Sequence, residues 1–524
     1  MDPYLEDFGD LNEKIDSIQV AEQQPPKKVF NFNLSAAPFV PGNSCVDETK
    51  TTTPSLPKEI SQKATKRSEE IESSRNKVIS KAKESKETIN IVFIGHVDAG
   101  KSTIGGHILF LTGMIDKRTL EKYEKEAREK NRESWYFSYA LDTNSDERDK
   151  GKTVEVGKAY FETKHKRFVL LDAPGHKAFV PNMISGAAQA DIAVLVISAR
   201  KGEFETGFDR GGQTREHAQI ARISSVKLLI VVVNKMDDPT VNWSEERYND
   251  ITDRLSKYLK KSSWKSNEIY FMPISGFSGS NIKDPVSPDI CPWWQGKPSF
   301  LGYLDSLPPI NSDVEASAMV IISDRYKDKD MGLLLMGKVI SGCFGKNDQF
   351  TLMPICKNFR IFSILSLEDE ELEMAKVGEN IKLRLSGDEE VDVIPGYVLC
   401  CQNNICPIGK TFDGHFAITD CKSIIAPGYK AVIHIHNAID EVTLVSIKKV
   451  MDVKTHEWLP KAQPFLKQND ICIARFVLNN AQCIAPHTQI PYLSRFSIRD
   501  EGNASNKPGK TVGFGKILKV IQLE

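Results

Sequence analysis

Short runs of apolar residues recur between residues 87 and 308, and each is followed by a polar stretch compatible with a helix. The runs are Ile89–Ile94, Phe168–Leu171, Ile192–Ile197, Leu228–Val233 and Ile269–Met272. Their hydrophobicity is continuous rather than alternating, which is typical of parallel strands buried on both faces. The pattern therefore predicts an α/β domain over residues 87–308, with a mostly parallel sheet and helices on both faces. Ligands of such sheets bind beyond the carboxyl ends of the strands.

The pattern changes after residue 308. In residues 309–405, short apolar segments alternate with Gly and Pro turns, among them Gly332–Val339, Gln349–Met353 and Tyr397–Cys401. Residues 406–524 repeat this arrangement with Lys430–Ile435, Val442–Val450, Ile471–Val477 and Val512–Ile521. Short strands separated by turn residues predict antiparallel β-barrels. We therefore expect a β-barrel domain 2 over 309–405 and a β-barrel domain 3 over 406–524.

The first 86 residues lack such a pattern. The first 26 residues carry seven acidic side chains and one lysine, and residues 43–86 are rich in Ser, Thr, Lys and Glu. This composition offers too little apolar surface to offset the entropy of ordering the chain. We expect residues 1–86 to form a disordered N-terminal tail.

Composition narrows the class of protein further. The 69 Lys and Arg residues nearly balance the 70 Asp and Glu residues, so no global field attracts the protein to nucleic acid or to a membrane. No apolar stretch approaches the roughly 18 residues that a membrane span requires. We therefore expect no membrane-spanning segment. The ten cysteines follow no regular framework, which favours a reducing compartment and a cytoplasmic protein.

A phosphate-binding loop follows the first apolar run. Residues 95–102 have the spacing Gly-x-x-x-x-Gly-Lys-Ser, between a strand and a helix. Glycines let several backbone N–H groups point at phosphate oxygens, and the helix adds its positive end. Lys101 is expected to reach the β- and γ-phosphates, and Ser102 to ligate Mg²⁺. The expected nucleotide-binding residues here are Gly95, His96, Val97, Asp98, Ala99, Gly100, Lys101, Ser102 and Thr103.

Two further motifs follow later strands. Asp172-Ala-Pro-Gly175 comes after Phe168–Leu171, where a carboxylate can hold Mg²⁺ and a glycine N–H can approach the γ-phosphate. Asn234-Lys235-Met236-Asp237 comes after Leu228–Val233. The Asp237 carboxylate can accept both adjacent donors of guanine, which adenine lacks. The alternative for Asn234–Asp237 is an ordinary helix N-terminus, but the combination predicts GTP.

A charged segment, residues 139–161, lies between the first two strands. Its charged residues show no apolar period, which indicates a mobile surface segment. A threonine within it, Thr153, can close on Mg²⁺ when a γ-phosphate is present. The expected metal ligands are therefore Ser102, Thr153 and Asp172.

These motifs together resemble the translational GTPases. The resemblance rests on Gly-His-Val-Asp-Ala-Gly-Lys-Ser at 95–102, Asp-Ala-Pro-Gly-His at 172–176 and Asn-Lys-Met-Asp at 234–237. Within Arg148–Gly157, elongation factor one-alpha and the ribosome-rescue GTPases typically have Arg-Gly-Ile-Thr or Arg-Gly-Val-Thr. Lys152 is instead characteristic of the GTP-binding eukaryotic release factor, release factor three. The resemblance covers residues 87–524.

The resemblance implies a function and further site residues. Ser275, Gly276 and Phe277 resemble the guanine-contacting loop of GTPases, and His176 is expected to position the attacking water on the ribosome. The implied protein hydrolyses GTP to GDP and assists the stop-codon-reading release factor, a partner bound mainly by domain 3. It is expected as the monomeric subunit of a heterodimeric complex. The alternatives are a ribosome-rescue or aminoacyl-tRNA-delivering GTPase, and a scaffold on the mRNA tail.

One apolar island interrupts the tail near residues 30–42. Anchors of this kind in a disordered segment are usual in peptides that dock into a groove, although chance composition is an equal alternative. The island resembles the motif that binds the C-terminal domain of poly(A)-binding protein. The partner-binding residues are Phe32, Asn33, Ala36, Phe39 and Pro41, with Phe32 standing where the motif usually has leucine.

Overall fold

The computed structural model describes most of the chain after residue 86. The described residues are 79–80, 86–130, 135–141, 153, 156–176, 179–209, 212–224, 226–262, 264–310, 313–328, 332–386, 392–419, 421, 424–451, 457–459, 463–500 and 509–521. The predicted disorder of residues 1–86, apart from 79–80 and 86, and the docking motif near 30–42 fall outside them.

The first half of the described chain contains a six-stranded sheet. Its strands are β1 (Glu87–Gly95), β2 (Gly157–Glu162), β3 (Lys166–Asp172), β4 (Ile192–Ser198), β5 (Leu228–Asn234) and β6 (Ile269–Pro273), in the order β2-β3-β1-β4-β5-β6. Neighbouring strands from β3 to β6 are parallel, and β2 pairs antiparallel with β3. Every predicted apolar run falls inside a strand, so the mostly parallel sheet is confirmed.

Helices connect these strands. They are α1 (Lys101–Leu111), α2 (Lys117–Glu129), α3 (Val180–Gln189), α4 (Glu203–Phe208), α5 (Gln213–Ile223), α6 (Glu245–Lys261) and α7 (Phe300–Ser306). Side chains cap the N-termini of several: Asp116 accepts from Thr119 N–H on α2, and Ser244 accepts from Arg247 N–H on α6. Helix α1 begins at Lys101, and the residue before it, Gly100, provides no side-chain cap. Its first N–H groups are thus not engaged by a cap and can bind an anion.

Strand β2 corrects one prediction. Residues 139–161 were expected to form a mobile surface segment, yet Gly157–Phe161 belong to β2, and Ser138–Ala140 form a turn of 3₁₀ helix. Phe161 is fully buried and stacks on Phe168, with ring centroids 5.0 Å apart. Inward and outward side chains alternate along β2. Because charged residues lie among them, the sequence pattern did not reveal this half-buried strand.

An antiparallel barrel follows the first sheet. Its strands are β7 (Met319–Asp328), β8 (Gly332–Ser341), β9 (Cys343–Gly345), β10 (Gln349–Met353), β11 (Lys357–Leu365), β12 (Glu371–Leu372), β13 (Met374–Lys376), β14 (Asn380–Leu385) and β15 (Val398–Cys401). The main sheet has the order β10-β15-β7-β8-β14-β11-β12, and an additional pairing of β10 with β11 closes it. The predicted segments Gly332–Val339 and Gln349–Met353 lie within β8 and β10.

The last described part is a second closed barrel. Its strands are β16 (Ile408–Ile418), β17 (Lys430–Ile435), β18 (Ala438–Met451), β19 (Ile471–Cys483), β20 (Arg495–Arg499) and β21 (Thr511–Ile521), in the order β16-β19-β18-β17-β20-β21. The interior rings of Phe412, Phe476 and Phe496 lie 5.3–5.7 Å apart. Two antiparallel barrels after the α/β unit confirm the predicted fold class. The exact domain boundaries remain predictions.

Polar contacts join the first sheet to both barrels. The buried Lys338 ammonium of β8 lies 2.7 Å from the Asp191 carboxylate, just before β4. On the other side, Arg495 of β20 donates to the Arg222 carbonyl of α5 at 2.9 Å. Helix α5 therefore contacts the second barrel directly. None of the helices in the described ranges is both long and apolar enough to cross a membrane.

Candidate nucleotide-binding site

The predicted phosphate-binding loop connects β1 to α1. Gly100 has φ of 94°, a left-handed conformation that favours glycine, and a Cβ added there would lie 2.4 Å from Asn234 Nδ2. The Lys101 ammonium folds back into the loop, donating to the His96 carbonyl at 2.9 Å and to the Gly95 carbonyl at 3.3 Å. The loop thus holds a cation at its centre, where phosphate oxygens are expected to bind.

Gly175 lies directly above this loop. A Cβ added to Gly175 would stand 2.5 Å from Lys101 Nζ and 3.1 Å from Val97 N. Asp172, the last residue of β3, is fully buried. Burial lowers the pKa of Lys101, and the nearby carboxylates of Asp172 and Asp98 oppose that shift. The structure thus brings Asp172 and Gly175 to the same place as Lys101.

Hard oxygen donors meet at the start of α1. The hydroxyl oxygens of Ser102 and Thr153 lie 3.4 Å apart. Thr153 comes from the segment predicted to close on the metal, and the buried Asp172 carboxylate stands beside Lys101. Hydroxyl and carboxylate oxygens are the ligands Mg²⁺ prefers. The residues present therefore fit a magnesium ion.

Asn234 ties two of the nucleotide loops together. Its Nδ2 donates to the Ala99 carbonyl at 2.8 Å, and its Oδ1 accepts from the Gly276 N–H at 2.7 Å. Its amide is therefore engaged with the protein and fixes the phosphate loop relative to residues 275–277. Asp237, three residues later, is exposed and accessible to a base.

The expected guanine loop follows β6. Ser275 is fully buried and its hydroxyl accepts from the Ser278 N–H at 3.1 Å, which shapes the turn. Phe277 is 52% exposed, an unusual position for a large apolar ring, and its ring lies at 75° to the Tyr136 ring, with centroids 6.4 Å apart. Asp237 follows β5, and Phe277 follows the neighbouring parallel strand β6. The exposed Phe277 ring is therefore available to pack on a planar base at this edge of the sheet.

His176 is less buried than Asp172 and Gly175. It follows Gly175, is partly exposed, and its ring lies 5.8 Å from the Phe179 ring. The phosphate loop, Asp172, Gly175 and Thr153 thus converge, and His176 follows this group directly in sequence. Residues 177–178, which connect it to α3, are outside the described ranges.

Sequence reasoning missed a buried histidine beneath the loop. His217 of α5 is fully buried, and its Nδ1 accepts from the Gly95 N–H at 3.1 Å. Its Nε2 has no hydrogen-bond partner among the residues that the structure describes. Burial and the charge of Lys101 lower the pKa of His217 to about 3. The imidazole is therefore neutral and orients the first residue of the loop.

A second missed residue is Glu203 of α4. Its carboxylate accepts from the Lys235 ammonium at 2.8 Å and from the Ser198 hydroxyl at 2.7 Å. Lys235 belongs to the Asn-Lys-Met-Asp motif and has a left-handed backbone, with φ of 63°. Neither Glu203 nor His217 lies in a local nucleotide motif, so no local sequence pattern distinguished either residue.

Comparisons with known proteins define the class. The "Elongation factor Tu GTP binding domain" model matches residues 86–343, and the "GTP-eEF1A C-terminal domain-like" model matches residues 411–518. The S. cerevisiae Ski7 GTPase-like domain, solved with GDP and inorganic phosphate, has a TM-score of 0.67 at 17% identity and covers 84% of this chain and 98% of that chain. The chain thus has the fold of an elongation-factor-type GTPase.

More similar relatives narrow this class. The eukaryotic peptide chain release factor GTP-binding subunit of Schizosaccharomyces pombe is 48% identical over 83% of this chain and 64% of its own length. That of Debaryomyces hansenii is 45% identical over 83% of this chain and 61% of its own length. A crystal structure of sup35 with GDP is 41% identical, covers 84% of this chain and 95% of that chain, and has a TM-score of 0.38.

Over 83% of its length the chain is similar to eukaryotic peptide chain release factor GTP-binding subunits. It spans less than two thirds of the length of these curated relatives, 64% and 61%.

Proposed function

We propose that this protein binds and hydrolyses GTP and assists the stop-codon-recognising release factor in translation termination on the ribosome. The observation that carries the proposal is the meeting of Lys101, Ser102, Thr153, Asp172 and Gly175 at one edge of the sheet. The similarity to release factor GTP-binding subunits supports the same function.

The nucleotide site divides into a phosphate part and a base part. In the phosphate part, the uncapped start of α1 and the Lys101 ammonium bind phosphate oxygens. Ser102 and Thr153 hold Mg²⁺, with Asp172 behind them; when bound, the ion offsets charge on the β- and γ-phosphates. In the base part, Asp237 accepts the two guanine donors while Ser275, Gly276 and Phe277 flank the ring. GTP and GDP are accordingly the proposed ligands.

Hydrolysis requires a water molecule aligned with the γ-phosphate. Gly175 approaches the phosphate loop closely enough to donate its N–H there. His176 follows Gly175 directly and is partly exposed, so it is adjacent to the residue whose N–H faces the phosphate. We assign His176 the positioning of the attacking water, and the ribosome the ordering of His176. Lys101 stabilises charge that develops on the transferring group.

The partner is proposed to bind mainly through the second barrel. Residues 401–524 carry 15 basic and 10 acidic side chains, whereas residues 311–400 carry 10 basic and 16 acidic. Over residues 311–524 together, 25 basic side chains face 26 acidic ones. This near-neutral total provides no broad basic face for a long RNA backbone. A protein partner, the stop-codon-reading factor, suits this surface better, and the two form a heterodimeric complex. The cytoplasm is the compartment in which this role is exercised.

The tail is proposed to add a second partner. Phe32, Asn33, Ala36, Phe39 and Pro41 resemble the motif for poly(A)-binding protein, which places an aromatic anchor in a pocket. The tail thereby connects the termination complex to the mRNA tail.

One experiment separates termination from the alternatives. Single-turnover GTP hydrolysis is measured with ribosomes alone, with ribosomes plus the stop-codon-reading factor, and with ribosomes plus aminoacyl-tRNA. A termination GTPase is stimulated most by ribosomes together with the release factor. Tight GTP-dependent binding of aminoacyl-tRNA, with no stimulation by the release factor, would instead establish a tRNA carrier or rescue GTPase.

A further inference from the structure

Side chains bind both backbone polar groups of Gly276. Its N–H donates to Asn234 Oδ1 at 2.7 Å, and its carbonyl lies 2.9 Å from Nδ1 of His107. His107 belongs to α1, the helix of the phosphate loop, and is 169 residues away in sequence. The expected guanine loop is therefore tied to two different parts of the phosphate site.

The partner of His107 determines which of its nitrogens carries the proton. A backbone carbonyl only accepts hydrogen bonds, so Nδ1 of His107 must be the donor. The ring is 7% exposed, and burial lowers its pKa, which the bond to Gly276 opposes. The imidazole is thus a neutral, fixed donor, whose removal leaves a buried carbonyl without this partner.

Stacking fixes the orientation of the donor. The His107 ring lies parallel to the Phe137 ring, with centroids 4.1 Å apart and planes inclined by 13°. Phe137 in turn contacts Tyr136, and the Tyr136 ring lies at 75° to the ring of Phe277 in the guanine loop. The rings of Phe277, Tyr136, Phe137 and His107 therefore form a continuous series that begins and ends at the guanine loop.

The N–H of Gly276 belongs to the peptide plane shared with Ser275, and its carbonyl belongs to the plane shared with Phe277. The two hydrogen bonds together therefore fix the φ and ψ of Gly276. A Cβ added there would lie 2.7 Å from Ile104 Cγ1, so the loop backbone lies directly on α1. A small rotation about the backbone bonds of Gly276 moves Phe277 relative to Ser275. The position of the base relative to Asp237 depends on this rotation.

We propose that His107 is a positioning residue for guanine recognition: its Nδ1–H fixes the peptide group between Gly276 and Phe277 and thereby sets the base against Asp237. The inference rests on the proposed GTP-binding function and concerns the same site. It goes beyond that function by assigning base selectivity to a residue of the helix that binds the phosphates.

Two substitutions separate the hydrogen bond from the stacked ring. In His107→Asn, the amide nitrogen is attached to Cγ, as Nδ1 is in histidine, so the donor is kept and the ring is lost. In His107→Phe, an aromatic ring is kept and the donor is lost. His107→Met is a second variant without a donor, whose flexible chain fits the space if the phenyl ring does not.

The experiment measures release of fluorescent GDP from the full chain after addition of excess GDP, and competition by GDP and IDP at equilibrium. IDP lacks the 2-amino group of guanine, so the ratio of GDP to IDP affinity reports how well the base faces Asp237. We expect His107→Phe and His107→Met to release GDP about fivefold to tenfold faster and to lower that ratio. His107→Asn is expected to stay within about twofold of the wild type.

The outcomes distinguish positioning from general folding. Equal loss of GDP and IDP affinity in both donor-free variants, with a lowered unfolding temperature, would show a merely structural role and overturn the inference. Unchanged GDP release in both would also overturn it. Failure of the wild-type chain to bind GDP would instead refute the proposed GTP-binding function itself.

Discussion

Glu216 and His217 are consecutive in α5, yet their side chains contact different parts of the molecule. Glu216 accepts from the Thr511 hydroxyl of β21 at 2.9 Å and lies 3.6 Å from the buried Arg499 guanidinium of β20. His217 accepts from the Gly95 N–H at 3.1 Å. One turn of helix therefore contacts both the second barrel and the phosphate loop.

This arrangement predicts separable effects of two substitutions. His217→Leu leaves the Gly95 N–H without its acceptor, which should weaken GDP binding by about 1–3 kcal/mol. Glu216→Gln removes the charge facing Arg499 and should increase hydrogen exchange in β20 and β21 while leaving GDP affinity unchanged. Equal effects of both variants on GDP affinity, measured by titration, would contradict the separation.

Asp237 should determine the choice of base. Asp237→Asn replaces one acceptor by a donor, so GTP affinity should fall by about 10-fold to 100-fold while affinity for xanthosine triphosphate rises. Asp238→Asn is the matched control, because the neighbouring carboxylate is already engaged with Arg200 and Thr240. A nucleotide titration in which Asp237→Asn still prefers GTP would show that the guanine assignment is wrong.

His176 should matter for hydrolysis and not for binding. The residue is partly exposed and its proposed role is to orient water rather than to bind the nucleotide, so His176→Ala should retain GTP affinity. Loss of water positioning should slow single-turnover hydrolysis on ribosomes by about 10²-fold or more. His165→Ala, an exposed histidine paired with Asp305, serves as the control. An unchanged rate in His176→Ala would mean that another group orients the water.

The extent to which the fold could be predicted depends on how each strand is buried. Strands β4 and β5 are buried on both faces, so continuous apolar runs such as Ile192–Ile197 revealed them. Strand β16 instead mixes Phe412 and Phe416, which point into the barrel, with glycines and charged residues. Its pairing with β19 and β21 is set by barrel closure, which no local pattern encodes.

The site shows the same division. Motifs that act through adjacent residues, such as Gly95–Ser102, were visible because phosphate binding requires a fixed local spacing. His107 and His217 act on Gly276 and Gly95, which are 169 and 122 residues away in sequence. Their roles arise only when the helices pack on the sheet. A single sequence contains no local sign of such contacts.

The tail motif is expected to depend on one aromatic side chain. Phe39→Ala in a peptide of residues 26–45 should weaken binding to the C-terminal domain of poly(A)-binding protein by about 2 kcal/mol or more, as for a hot-spot anchor. Phe30→Ala, which removes an aromatic ring at none of the five named partner-binding positions, should have little effect. Calorimetry would decide, and absence of binding by the unsubstituted peptide would refute the proposed partner.

The Asp191–Lys338 pair should control the stability of the junction between the first sheet and the first barrel. Asp191 is fully buried, and its second oxygen accepts from the Asn90 N–H at 2.9 Å and from Asn90 Nδ2 at 2.8 Å. Burial alone would raise the pKa of Asp191, but Lys338 and these donors hold it below its usual range. Its contribution to stability is therefore present above the unfolded pKa of about 4 and lost as pH falls through the lower folded pKa.

Lys338→Met should reverse this pH dependence. The variant leaves a buried carboxylate without its cation, which should cost about 3–5 kcal/mol at neutral pH. Burial would then raise the folded pKa of Asp191, so the variant should lose stability as pH rises and recover part of it near pH 4–5. Lys382→Met is the control, because its partner Asp369 is 57% exposed and such a pair contributes about 1 kcal/mol or less. Denaturant unfolding of the full chain between pH 4 and pH 8 measures both variants, and a pH-independent loss in Lys338→Met would contradict the proposed charge pairing.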